Sequence, residues 1–351
     1  MAFLNWDTYL TPTEKVESFR LRTGDGFKNQ RKRISQLYNK RSPKTVVCLG
    51  SGYLNDIPID DIIKGGSRLF LVDWMKDASR QAFDYDVVTS YEGGYHCLIC
   101  DTTGDPTDYC RRFSKPLKTS LPRGQKFCAN FKPDKESRPA CGSYQAGPNP
   151  GFLQADVTEG RASGFARRME NVLQRAKNPR AAFKLALQEA RAAHRFTEAL
   201  PIDTGSVDLV TSSMIVSQFD FEPYEFLAKN LAARFGIDAL NRREKELQPL
   251  MEELRDHLFL TLMEGHCREI HRLLKADGQV YFSVEAFHRD QPNDNWFEVP
   301  TFPKVMEVLR RHFLFDFDFL PALNTPDQME IMGGESMVYS YILTQKSSPG
   351  D

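Results

Sequence analysis

Gly50, Gly52 and Asp73 are the residues of this chain whose types and spacing most directly imply chemistry. Thr45-Val46-Val47-Cys48-Leu49 is an apolar run bounded by Lys44 and Gly50, which reads as a buried parallel strand. The two glycines let the following turn bring backbone amides against a ligand. A second apolar run, Leu69-Phe70-Leu71-Val72, ends on Asp73. Open α/β sheets bind ligands at the carboxyl ends of their strands, and an acid about 20 residues beyond the glycines can take both hydroxyls of a ribose. The spacing predicts a nucleotide-binding crossover, with a helix over Asn55 to Lys64 and a second strand over Ser67 to Val72.

Three later segments extend the pattern. Gly151-Phe152-Leu153-Gln154-Ala155-Asp156-Val157-Thr158 reads as a short third strand ending in an acid. Ser206-Val207-Asp208-Leu209-Val210-Thr211-Ser212-Ser213-Met214 reads as a fourth, ending in small hydroxyls. Leu273 to Val284 joins a helix end, a tight Asp277-Gly278 turn and a fifth buried strand. Phe313 to Leu320 and Ser336 to Thr344 then suggest a terminal hairpin. Taken in order, these motifs over roughly 44–85 and 151–346 resemble the class I S-adenosylmethionine-dependent methyltransferases.

That resemblance implies a Rossmann-like three-layer α/β sandwich, with a mostly parallel central sheet and a C-terminal antiparallel hairpin. It implies S-adenosylmethionine as cofactor and direct methyl transfer to a small or medium-sized acceptor. Gly50, Ser51 and Gly52 would line the methionine and ribose part, Asp73 would take the ribose hydroxyls, and Trp74 would pack on the adenine. Asp156 and Val157 would meet the adenine edge and face, and Ser212 and Ser213 would lie where the methyl meets the acceptor. Two positions depart from the family pattern: Cys48 stands where an acid is common, and Leu54 stands at the third glycine. Asp56 is a candidate for the carboxylate that the loop otherwise lacks.

Displacement at a sulfonium asks little of side chains beyond positioning and desolvation, and needs a base only where the acceptor must lose a proton. Gln218, Tyr224 and His288, just beyond the fourth and fifth strands, are the catalytic candidates, with Glu285 beside them. His288 is the best base by type, because imidazole titrates near neutrality, although a surface histidine has the same signature. Trp296 and Phe302 are either acceptor walls or ordinary packing. Thr211-Ser212-Ser213-Met214 replaces the Asn/Asp-Pro-Pro-aromatic tetrapeptide of exocyclic-amine methyltransferases, which argues against DNA adenine chemistry. Two alternatives stay open: an RNA or protein methyltransferase, and a non-catalytic relative that binds a partner. A nicotinamide oxidoreductase is a weaker fit, because its third glycine is missing.

The elements around these motifs are numerous. At 351 residues, 41% apolar and 26% charged, the chain exceeds what a plain nucleotide-binding core of about 200 residues requires. We read residues 1–43 as an N-terminal helical cap, with a basic helix over Lys28 to Arg41 that covers the cofactor or forms a solvated face. Residues 44–346 form the catalytic domain, interrupted by an insertion at 90–150 and a helical extension at 158–205. Further helices fall in 221–275, with Pro223 near one start and Gly236 near one end. A net charge of −1, no apolar run of about 18 residues and no leader pattern at Met1 to Leu10 lead to the expectation of a soluble cytoplasmic protein with no membrane contact.

The 90–150 insertion carries five of the seven cysteines: Cys97, Cys100, Cys110, Cys128 and Cys141. The segment is too polar and too rich in Pro and Gly to build a core of its own, and four thiolates on zinc or an iron–sulfur cluster would supply its folding energy. Free or redox-paired cysteines are the alternative. Cys48 and Cys267 read as core cysteines. The insertion is also basic, from Arg111 to Arg138, which would suit RNA contact or simply a soluble surface. Elemental analysis of protein purified anaerobically without added metal should find zinc or iron near one site per chain. Neither metal, with five thiols alkylated in the native protein, would exclude the centre.

Overall fold

The computed structural model describes residues 5–10, 26–75, 151–291, 294–331 and 334–346, and the backbone of five short strands between 88 and 141. Its main elements are α1 (Trp6–Tyr9), α2 (Lys28–Arg41), β1 (Thr45–Leu49), α3 (Ile59–Lys64), β2 (Arg68–Asp73) and β3 (Gly151–Gln154). There follow α4 (Arg161–Arg175), α5 (Pro179–Ala192), β4 (Val207–Ser213), α6 (Phe221–Phe235) and α7 (Glu244–Leu273). The chain continues through β5 (Leu274–Arg289), α8 (Phe302–His312), β6 (Phe313–Phe315) and β7 (Gly334–Gln345).

The sheet runs β6-β7-β5-β4-β1-β2-β3, parallel from β5 to β3 and antiparallel where β7 enters between β5 and β6. Strand order reverses at β1, which pairs with β2 on one side and β4 on the other. Alternation along the strands divides the core into two layers. Val47, Leu49, Phe70, Val72 and Phe282 join the helices α4, α5, α7 and α8 in one large cluster. Val46, Cys48, Leu69 and Leu71 are equally buried but lie outside that cluster, as do Ile34 and Leu37 of α2 and Ile62 of α3. The fold is the Rossmann-like three-layer sandwich that the resemblance implied.

Local chemistry explains most element ends. Asn178 caps α5 by accepting from Ala181 N, with Pro179 at the first helical position. Gly236 ends α6 at φ 83°. The basic segment 28–41 is a helix laid on the sheet: Gln30, Ile34, Leu37 and Tyr38 are buried at helical spacing. Its buried Gln30 donates to Asp327 and accepts from the hydroxyl of Tyr281, which tethers α2 to β5.

Three boundaries differ from the sequence expectation. The crossover helix begins at Ile59 rather than Asn55, because Pro58 disfavours helical backbone at Ile57 and its own carbonyl accepts from Ile62 N. The Asp277-Gly278 turn is a bulge within β5, since Leu274 already pairs with Val207 before the register shifts to Gln279 against Leu209. The expected terminal pairing forms but is shorter, with Phe313–Phe315 of β6 antiparallel to Leu343–Gln345 of β7. Strand β6 stops at Phe315, where Asp316 Oδ1 accepts from Asp318 N and Phe319 N, and a separate strand, Asp327–Ile331, makes the close antiparallel partner of β7.

In the insertion, Val88–Tyr91, Gly94–Cys97 and Thr102–Gly104 form a small antiparallel sheet, and Phe131–Pro133 pairs with Pro139–Cys141. The side chains of all five cysteines expected to bind metal lie outside the described residues. Among the described residues no group of three or more His, Cys, Asp and Glu side chains could hold a metal ion, and no helix is long and apolar enough to cross a membrane.

One close helix contact in the core is made at a glycine. A Cβ on Gly265 of α7 would sit 2.5 Å from the Thr158 carbonyl and 2.8 Å from Arg161 Cδ. Arg161 cannot yield, because it is buried and holds Glu159 and the Thr261 carbonyl. Gly265→Ala should therefore cost about 1–3 kcal/mol of stability in urea unfolding. An unchanged midpoint would show that α7 has room to shift.

Candidate functional site

The parallel register sets the site. Leu49 lies opposite Val72 on one side and Ser212 on the other, so Gly50, Asp73 and Ser213 emerge one residue later at the same sheet edge. This is the crevice where doubly wound sheets bind ligands. Gly50 N and Ser51 N both donate to Val72 O, at 2.9 and 3.0 Å, which folds the loop tightly over the end of β2. Gly50 has φ 69°, and a Cβ there would meet Ile215 Cδ1 at 2.1 Å. Leu54, at the third glycine position, still adopts φ 60°. Its side chain is 1% exposed, and that burial offsets a left-handed strain of about 1–3 kcal/mol.

Asp73 is 7% exposed. Gly52 N donates to its Oδ2 at 2.8 Å and Met75 N to its Oδ1 at 2.7 Å, leaving each oxygen a further lone pair for a hydroxyl. Burial raises its pKa to about 6 against the pull of those two amides. Asp56 lines the same cavity and is hydrogen-bonded to Ser213; burial raises this carboxyl too, opposed by that bond and by the Arg31 charge. Arg31 in turn donates to Asn55 O, so α2 braces the loop. Cys48 does not replace the missing acid: it is fully buried and burial pushes its thiol up to about 12.

A cavity of about 760 Å³ opens over this edge, within the usual range for small-molecule sites. Gly50 to Asp56, Asp73, Trp74, Met75 and Ser213 form its floor. Gln218, Phe221, Glu222, Glu225 and Lys229 line it from the start of α6, and Tyr9 and Phe27 from the N-terminal region. A second cavity of about 860 Å³ adjoins it and contains Gln154, Asp156 and Ser163. Thr8, Leu10 and Trp74 line both and form the partition. Beside them Trp6, 1% exposed, meets Trp74 edge-on at 5.9 Å and donates to Ser163 Oγ at 3.2 Å.

The expected site residues do not all converge. Gly50, Ser51, Gly52, Asp56, Asp73, Trp74, Ser213 and Gln218 share the first cavity. Asp156 lies two residues beyond the end of β3 in the second cavity, where its carboxylate takes Thr158 N, Thr158 Oγ1 and Ser163 N and caps α4. The Val157 side chain is in the core. Ser212 is turned away from the cleft and bonds His266 Nε2 at 2.8 Å. Tyr224 packs under the Arg255 guanidinium rather than into the cavity. His288 is five residues further along β5 than Ser283, the partner of Ser213, or roughly 15 Å at the usual rise. There it contacts Glu285, Ser336 and Asp290, while Trp296 stacks with Arg289 and Phe302 packs near Phe287 and Tyr339.

Sequence reasoning missed the wall opposite the glycine loop. Gln218 was among the candidates, but Glu222, Glu225 and Lys229, which recur at helical spacing along α6, were not, and that periodicity was the available signal. Tyr9, which donates to Glu222 Oε2 at 2.7 Å, carries no local signal of its own. His266 was also missed. Its Nδ1 lies 3.0 Å from Val157 O, so Nδ1 carries the proton and Nε2 accepts from Ser212. The ring thus ties the β3–α4 turn to the end of β4.

No family model matches the chain, and no curated protein matches it. Solved structures similar to it include a Burkholderia thailandensis 1,6-didemethyltoxoflavin-N1-methyltransferase bound to 1,6-didemethyltoxoflavin and S-adenosylhomocysteine, at 11% identity and TM-score 0.35, covering 92% of this chain and 79% of that one. A TehB-like S-adenosylmethionine-dependent methyltransferase from Corynebacterium glutamicum is 11% identical at TM-score 0.36, covering 94% and 98%. A methyltransferase from Aquifex aeolicus is 8% identical at TM-score 0.37, covering 94% and 97%. Likenesses this low carry no argument about activity.

Burial keeps His266 neutral by lowering its pKa from 6.5 to about 4. The unfolded chain therefore binds the proton first, so the contribution is present above about 6.5 and lost as pH falls toward 4, by up to about 3 kcal/mol. In urea titrations, His266→Gln should lose less stability than the wild type between pH 7 and pH 4.5. Parallel losses would place the acid sensitivity elsewhere.

Proposed function

We propose that the protein is an S-adenosylmethionine-dependent methyltransferase acting on a small or medium-sized acceptor. The observation that carries this reading is the shared edge of Gly50, Asp73 and Ser213 at the strand-order reversal, roofed by a cavity whose carboxylates suit a cationic cofactor. When bound, S-adenosylmethionine supplies an electrophilic methyl on a sulfonium. Asp73 is the residue to hold the ribose hydroxyls, since both of its oxygens are fixed by backbone amides and retain acceptor capacity. Trp74 and Met75 offer apolar surface beside it for the adenine. Asp56, which follows the glycine loop and lines the same cavity, offers a carboxylate for the amino group.

The remaining cavity, from Ser213 and Met214 to α6, is the acceptor side. Tyr9 serves there as a neutral donor, because burial and the nearby Glu222 and Glu225 raise its pKa and disfavour a phenolate. Any acceptor proton that must leave has Glu222 and Glu225 within the same space. Helix α1, seated beside the cleft by the buried Trp6, helps to exclude water and orient the reactants, and positioning of this kind supplies much of such a rate enhancement.

The raised pKa of Asp73 has a definite sign. Its neutral form is favoured by the fold, so its ionisation costs stability as pH rises from about 4 through 6, and a ligand that hydrogen-bonds the carboxylate recovers that cost. Affinity for S-adenosylhomocysteine, measured by calorimetry, should be full above pH 6 and weaken on acidification below it. Asp73→Ala should weaken binding by about 1–3 kcal/mol at neutral pH. Unchanged affinity in that variant, or NADH binding in preference to S-adenosylhomocysteine, would overturn the reading.

A further inference from the structure

The acceptor end of the cavity has a chemical character of its own. Helix α6 presents Glu222, Glu225 and Lys229 to it, three or four residues apart and hence on one face, and Gln218 joins them from the short turn Val216–Gln218 that precedes the helix. Glu222 is fixed by the Tyr9 hydroxyl at 2.7 Å. Lys229 Nζ lies 4.9 Å from the centroid of the Tyr9 ring, so the chain's own ammonium already occupies a cation–π position at this wall. Phe221, 48% exposed, adds a second ring to the lining of the same cavity.

We propose, on the methyltransferase reading above, that this subsite takes an amine-bearing aromatic acceptor. Glu225 and Glu222 face its amino group, Tyr9 and Phe221 face its ring, and carboxylate- and phosphate-bearing acceptors are rejected.

The charge arrangement supports both halves. Lys229 is the only basic side chain among the described residues that line the cavity, against Asp56, Asp73, Glu222 and Glu225. The Tyr9 phenol reports the field at the wall: after burial, its pKa is raised by the bond to Glu222 and by the charges of Glu222 and Glu225. A phosphate or carboxylate brought to this wall meets like charge without the Arg or Lys fork that anion recognition uses. An ammonium meets two carboxylates and a ring already suited to a cation. The same argument disfavours RNA at this mouth, since nucleic-acid binding depends on neutralising phosphates.

The test uses the full chain saturated with S-adenosylhomocysteine and a matched pair of probes, tryptamine and indole-3-acetate, by titration calorimetry. Tryptamine should bind at least about tenfold more tightly than indole-3-acetate. Glu225→Gln should reduce that preference to about threefold or less while S-adenosylhomocysteine binding stays near the wild-type value. Lys229→Ala, which removes the competing ammonium and leaves the carboxylates, should keep or increase the preference. Equal or reversed binding of the pair, no binding of either, or a preference unaltered in Glu225→Gln would overturn the proposal. Failure of S-adenosylhomocysteine to bind in the first place would instead overturn the methyltransferase reading.

Discussion

The parallel pairing of β1 with both β2 and β4 is the constraint on which the rest of this structure depends. Leu49 is locked opposite Val72 and Ser212, so the chain can leave the three strands only at one shared edge. Val72 O then receives two amides from the glycine loop, and Asp73 receives one more from Gly52. A one-residue slip would turn every strand side chain to the wrong face and break these bonds together. The same lock fixes which residues can meet a ligand and which belong to the core. Gly50 and Ser213 reach the cleft, whereas their neighbours Leu49 and Ser212 are buried.

Around that edge and on the neighbouring β5 the protein buries polar groups. Asp73, Asp56 and Tyr281 are all shifted by burial toward their neutral forms. Burying such groups costs free energy unless hydrogen bonds compensate, and here each has defined partners. Tyr281 bonds Gln30 and Ser340, and Gln30 passes the network to Asp327. That network has a structural purpose, since it joins α2 to β5 and β7 and so holds Arg31 against the glycine loop. Asp73 and Asp56 differ because they remain at a cavity wall, where a ligand can supply the missing compensation.

The N-terminal residues complete the site from the far end of the sequence. Trp6 inserts among Trp74, Tyr9 and Phe226, an aromatic group that joins α1 to the end of β2 and to α6. Aromatic side chains bury large areas with few rotatable bonds, so a four-residue helix can be held by one tryptophan. Beside it Thr8, Leu10 and Trp74 separate the two cavities, both of which they line.

The alternation and length of the apolar runs at 45–49, 68–73 and 207–213 determined three central strands, and glycine or acid at their ends marked the ligand edge, because both signals are local. Helix α2 was expected as a basic helix over Lys28 to Arg41, but its buried face of Ile34, Leu37 and Tyr38 was not read from the sequence, and Pro58 could have warned that the crossover helix starts late. Other features were decided by tertiary structure. Leu54 holds a left-handed backbone that sequence assigns to glycine, because packing around its side chain stabilises it. Asp156 and His288 looked alike as strand-end polar residues; the cap of α4 claims one and the Glu285–Ser336 contact claims the other. Tyr9 and Glu222 stand 213 residues apart, and no periodicity within either segment encodes their meeting. Strand positions follow from the pattern of neighbouring residues, but a site wall assembled from distant segments exists only once the sheet has fixed where those segments end.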